Sequence, residues 1–110
     1  MSETTEILFA YITCKDVAEA RRIGRGLVDE GLAACVNILP GMESHYRWNG
    51  KVESAQEVVL IAKTRAEARE TLLERVLERH SYETPCVVFL PVAGGNPDYL
   101  DWIARESEAP

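Results

Sequence analysis

Four short runs of apolar, β-prone residues, 7–12, 32–36, 58–62 and 86–90, set the terms on which this chain can fold. Each is nearly continuous rather than alternating, the pattern of strands covered on both faces. The segments between them carry a different period. Asp16 with Glu19 reads as a capping box. Behind it Ala20, Ile23, Gly24, Leu27 and Val28 recur at helical spacing until Gly31 offers a stop. Thr64 with Glu67 reads as a second capping box. It leads into a stripe of Ala68, Leu72, Leu73, Val76 and Leu77 whose opposite face is arginine and glutamate.

The middle of the chain is a hairpin. Asn49-Gly50 is a strong two-residue turn signal, because both central positions of that turn need positive φ. Counted outward, its arms run about fifteen and thirteen residues, well beyond a typical strand of ~5–6. The first arm is interrupted at Pro40-Gly41, where a bulge or kink is expected. Pro85 opens a last strand and Pro91 closes it. Asn96 then caps, and Pro97 starts, a short terminal helix with Tyr99, Leu100, Trp102 and Ile103.

The order is β-α-β-β-α-β plus a tail helix. With right-handed crossovers this predicts an α+β, ferredoxin-like arrangement, both helices on one face of a four-stranded antiparallel sheet. The other face is then too apolar to stand in water. Either further copies of the chain cover it, or the tail helix folds back over it; one helix of about ten residues is small cover for four strands. Tyr46 and Trp48, on the part of the hairpin that outruns the sheet, read as interface anchors.

Composition narrows the function classes. The 110 residues predict one domain, residues 7–110, behind a flexible tail of residues 1–6. A net charge of -6 argues against nucleic acid and anionic membranes as partners. Three scattered cysteines do not make a disulfide framework. The polar, acidic start lacks the features of a secretory signal, and no stretch approaches a membrane span. The expectation is a cytoplasmic protein with reduced thiols. No nucleotide loop, zinc spacing or nucleophile elbow is present, so an enzyme is the least supported class.

Individual residues admit paired readings. His80 ends the second helix, where it can cap the C-terminus or serve as a metal ligand. Cys14 precedes the first helix, whose N-terminus lowers a thiol pKa, so it reads either as the best reactive or metal-capable cysteine or as an ordinarily packed side chain. Glu83 is a third donor near His80 in sequence, and a Cys/His/Glu set suits Cu(II) or Zn(II). Cys35 and Cys86 read as small buried hydrophobes. Lys63, Tyr82, Glu83 and Trp102 are candidates for a mixed cleft that takes a small ligand, or for a Lys63–Glu83 ion pair with aromatic packing.

Ala33-Ala34-Cys35-Val36-Asn37-Ile38-Leu39-Pro40-Gly41-Met42, then Ser44, Tyr46, Trp48 and Gly50, resembles the signature of the CutA (divalent-cation tolerance) family. Lys63-Thr64, His80, Tyr82-Glu83, Pro85, Leu90-Pro91, Gly95-Asn96, Tyr99-Leu100 and Trp102 match in the same order. The resemblance implies a ferredoxin-like homotrimer with hairpins embracing neighbouring subunits, and a link to tolerance of copper and other divalent ions. The implied assembly is similar to the PII signalling trimers, which take small effectors between subunits. Three positions depart from the pattern. Ser81 stands where the family usually has proline. Ile12 and Arg79 stand where some members carry a metal-associated cysteine and a second histidine.

Overall fold

The computed structural model describes residues 5–108. Its elements are β1 (Ile7–Cys14), α1 (Val17–Asp29), β2 (Cys35–Trp48), β3 (Lys51–Arg65), α2 (Arg69–Arg79), β4 (Val87–Pro91) and α3 (Pro97–Glu106), with a 3-10 turn Ala66–Ala68 leading into α2. One antiparallel sheet has the order β2-β3-β1-β4. The α+β, βαββαβ arrangement read from the sequence is the one observed.

Strand pairing sorts the apolar runs into two faces. One face carries the rows Val36–Ala62–Ala10–Phe89 and Ile38–Leu60–Ile12–Val87. These pack under α1 and α2, against Ala20, Ile23, Leu27, Leu72 and Val76, to form the core. Gly24 lets α1 sit close, since a Cβ there would lie 2.9 Å from Leu60 Cδ1. The other face carries Asn37–Ile61–Tyr11–Val88 and Cys35–Lys63–Phe9–Leu90. α3 packs at one end of it, where Arg65 donates to the Ala104 carbonyl and Lys63 to the Tyr99 hydroxyl. Leu39, Val88 and Leu90 are left about half exposed. The tail helix therefore covers part of that face and no more.

The turn signals appear as expected. Asn49 and Gly50 have φ of 51° and 77°, the pair of positive values that closes a two-residue hairpin. The register slips between Leu39 and Met42, with Gly41 at φ 82°. Asp16 accepts from the Glu19 amide, and Asn96 accepts from the Asp98 amide ahead of Pro97. Gly31, at φ 72°, ends α1 with the Gly31 and Leu32 amides returning to the Val28 and Leu27 carbonyls.

Two expectations need correction. Thr64 does not cap a helix. It is the penultimate residue of β3, and its hydroxyl donates 2.8 Å to the Leu32 carbonyl, so a buried tertiary bond takes the group that would have capped. α2 starts without a side-chain cap. Residues 32–34 form the bend before β2 rather than its start, with Leu32 and Ala33 in the core. Residues 1–4 of the expected tail lie outside the described residues, and the Glu6 carbonyl is tied to the Ala66 amide.

Past the slip, β2 and β3 continue as a two-stranded ribbon, which stretches the chain to 53 × 25 × 22 Å. Met42, Ser44, Tyr46 and Trp48 share one ribbon face with Glu57, Ala55, Glu53 and Lys51. That face continues the half-covered side of the sheet, as the contact from the Tyr11 hydroxyl to Met42 Sδ shows. Trp48 on this face is 56% exposed, and Val52 on the opposite face 69%.

Candidate functional site

The end of β1, the start of α1 and the end of α2 meet at one buried junction. Cys14, the last residue of β1, points into the core and is fully buried. Glu19, in the first turn of α1, is drawn inward by amide donors. Its Oε1 accepts from the Lys15 N–H at 3.0 Å and its Oε2 from the Ser81 N–H at 2.8 Å. His80 leaves α2 with an extended backbone (φ -79°, ψ 145°) that turns its ring under the sheet. The Tyr82 N–H donates to its Nδ1 at 3.0 Å, and its Nε2 lies 2.8 Å from the Thr13 carbonyl oxygen. An amide must donate and a carbonyl must accept, so the neighbours assign the tautomer: the proton sits on Nε2.

Donor atoms of Cys14, Glu19 and His80 all lie within 4.8 Å of one another. The structure thus brings together two of the residues singled out as metal donors, Cys14 and His80. The third member of the group is Glu19, not Glu83. Sequence reasoning read Glu19 only as a cap, because its second partner, Ser81, lies 62 residues away.

The group does not fit a resident divalent cation. Both ring nitrogens of His80 and both carboxylate oxygens of Glu19 already have protein partners. Burial, and then the Glu19 carboxylate, push the Cys14 thiol up to about 12, so in the metal-free chain it is a protonated side chain of the core. That reverses the lowered value expected from the helix N-terminus: the side chain is inside the core, not in front of the helix. Burial also pushes Glu19 up, but hydrogen bonds from Ser81 and the Lys15 amide outweigh it and hold the carboxyl below its usual value. Among the described residues no buried side-chain nitrogen or oxygen lacks a partner. What this junction does chemically is tie three elements together.

The expected cleft is divided between two places within the chain. Lys63 and Trp102 come together through Tyr99: Lys63 Nζ is 2.9 Å from the Tyr99 hydroxyl and 5.3 Å from the Phe9 ring centroid, while Trp102 stacks on Tyr99 at 5.7 Å. Tyr82 sits elsewhere, its hydroxyl donating 2.9 Å to Glu57. Glu57 and Lys63 are about 20 Å apart along β3 at ~3.3 Å per residue. Glu83 is exposed, and no Lys63–Glu83 ion pair forms. Tyr82 and Glu83 instead line a cavity of about 700 Å³ with Tyr46, Trp48, Glu53 and Glu57. Burial and the Glu57 carboxylate push the Tyr82 phenol up. Cys35 and Cys86 are partly buried rather than enclosed.

The model of the CutA1 divalent ion tolerance protein family matches residues 8–106. The chain belongs to the CutA1 divalent ion tolerance family. It is 50% identical over 102 residues to the divalent-cation tolerance protein CutA of Thermus thermophilus, covering 93% of this chain and 97% of that one. To the chloroplastic protein CutA of Arabidopsis thaliana it is 43% identical over 106 residues, covering 96% of this chain. It spans only 58% of the length of that plant relative. The crystal structure of CutA1 from Oryza sativa superposes with a TM-score of 0.93 at 40% identity, over 97% of this chain and 98% of that one. The family description is one of ion tolerance, and the CutA fold seen in rice is the fold described above. No helix among the described residues is long and apolar enough to cross a membrane. One relative is named for the chloroplast, so the compartment does not follow from the family.

Proposed function

We propose that this chain acts in divalent-cation tolerance as a homotrimer that binds the ion directly, copper first among candidates. The observation that supports assembly is the ribbon. A two-stranded hairpin is marginal by itself in water, yet β2 and β3 run on past the sheet with Tyr46 and Trp48 exposed on one face. The same face continues into the half-covered side of the sheet, where Leu39, Val88 and Leu90 await cover. A second and third copy, each laying its ribbon on the next, would bury both at once. Tyr46 and Trp48 are the anchors in this reading. Light scattering should return about three times the 12.3 kDa of one chain; a monomer mass at micromolar concentration would defeat the reading. The site of action is cytoplasmic in this proposal, and cell fractionation tests that.

A second reading, a PII-like trimer that takes a small effector between subunits, has the cavity beside Tyr82 in its favour. Tyr46 and Trp48 line that cavity and also anchor the proposed interface, so assembly would shape it. A thermal-shift screen of metabolites separates the two readings, since a bound effector raises the transition.

A further inference from the structure

The sequence has two histidines. His80 has both ring nitrogens held by backbone groups in the core; His45 stands exposed on the ribbon, its nitrogens engaged only by the side chains of Glu43 and Ser54. We propose that the ribbon face bearing His45 holds a divalent-cation site, made of His45 Nε2 and a Glu43 carboxylate oxygen, with Ser54 orienting the imidazole. This inference rests on the direct-binding reading above and names where the ion sits.

Glu43 and His45 are two positions apart on β2, so they project on the same side, opposite to Tyr46 and Trp48. Gln56 and Ser54 face them across the ladder on β3. His45 Nε2 is 2.6 Å from Glu43 Oε2, and Ser54 Oγ is 2.8 Å from His45 Nδ1. A ligating histidine typically has its second nitrogen held by an outer partner in this way. A hydroxyl donates or accepts by rotation. Ser54 therefore takes an Nδ1–H when the Nε2 lone pair turns to a cation.

The bite is suitable. Metal–nitrogen and metal–oxygen bonds of about 2.0–2.2 Å at right angles place two donors roughly 2.8–3.0 Å apart. Opening the present 2.6 Å contact to that span moves only side chains that are 59% and 71% exposed. The exposure also leaves the remaining coordination positions to water. A mixed N,O set with open tetragonal positions favours Cu(II) and then Zn(II). In the proposed trimer the ribbon uses its other face for the neighbour, so this one stays accessible.

The test is titration of the full chain with Cu(II) in a non-coordinating buffer, by calorimetry and electron paramagnetic resonance. The wild type should bind with one imidazole nitrogen in the copper spectrum. His45→Ala should lose that signal and weaken binding at least ~tenfold, and Ser54→Ala should weaken it about tenfold through the orienting bond. All three side chains are exposed, and unchanged circular dichroism confirms that the variants fold. Binding and spectrum unchanged in His45→Ala overturn the site while leaving direct binding intact. Loss in Cys14→Ser but not in His45→Ala places the ion at the buried junction and overturns the site as well. A wild type that takes up no Cu(II) defeats direct binding and the site together.

Discussion

Ser81 gives the junction something the family pattern lacks. A proline has no N–H, so the 2.8 Å bond from the Ser81 amide to Glu19 exists because serine stands there. His80 already has the extended backbone that a following proline requires. Ser81→Pro should therefore remove the amide hydrogen bond to a buried carboxylate, and the serine hydroxyl beside it, without forcing the chain elsewhere. Such a bond is worth about 1.5–3 kcal/mol, and the proline recovers about 0.4–1 kcal/mol through the unfolded state. A net loss of about 1 kcal/mol is expected in a urea titration. Glu19→Gln tests the same carboxylate by pH. The folded-state value lies below the ordinary 4.5 of a glutamate, so the stabilisation is complete above pH 4.5 and disappears as pH falls through the folded value. The stability gap between wild type and Glu19→Gln should be constant near neutrality and close in acid. A gap that persisted in acid would show that the charge of Glu19 is not what stabilises the fold.

At the scale of elements, α1 is seated on the sheet through Gly24. An added methyl would lie 2.9 Å from Leu60 Cδ1 and 3.1 Å from Val36 Cγ2. Leu60 is fully buried and has little room to yield. Gly24→Ala gains up to about 1 kcal/mol in helix propensity, but overpacking of this kind costs about 1–3 kcal/mol. The thermal midpoint should fall. A rise would mean that α1 shifts freely on the sheet. Elements were legible in the sequence where their signal was local. Asn49-Gly50 made the turn, Pro40-Gly41 marked the slip, and Asn96-Pro97 began α3. Legibility failed where a distant partner decided the outcome. Thr64 and Glu67 have the spacing of a cap, but Leu32 claims the Thr64 hydroxyl. Lys63 and Tyr82 looked like neighbours because each adjoins a strand end, and those ends are opposite ends of the sheet. Glu19 gave a capping signal that was real as far as Asp16 and silent about Ser81.

At the scale of the molecule, the half-covered sheet face and the bare ribbon make one continuous surface. If copies of the chain cover it, Trp48→Ala should shift the assembly towards smaller species at low concentration, with circular dichroism showing the α1–α2 core intact. The wild type should then show a thermal midpoint that rises with protein concentration. A midpoint independent of concentration, with no change in mass for Trp48→Ala, would remove Trp48 from the interface.

The ribbon also decides who suffers from a fault. It has almost no core within its own chain, so in a trimer the surface it protects belongs to the copy beside it. A damaged ribbon would leave its own subunit sound and expose its neighbour. In a cell making normal and altered chains together, mixed trimers would carry the defect into subunits of normal sequence, and inheritance of the fault would look dominant although the altered chain folds.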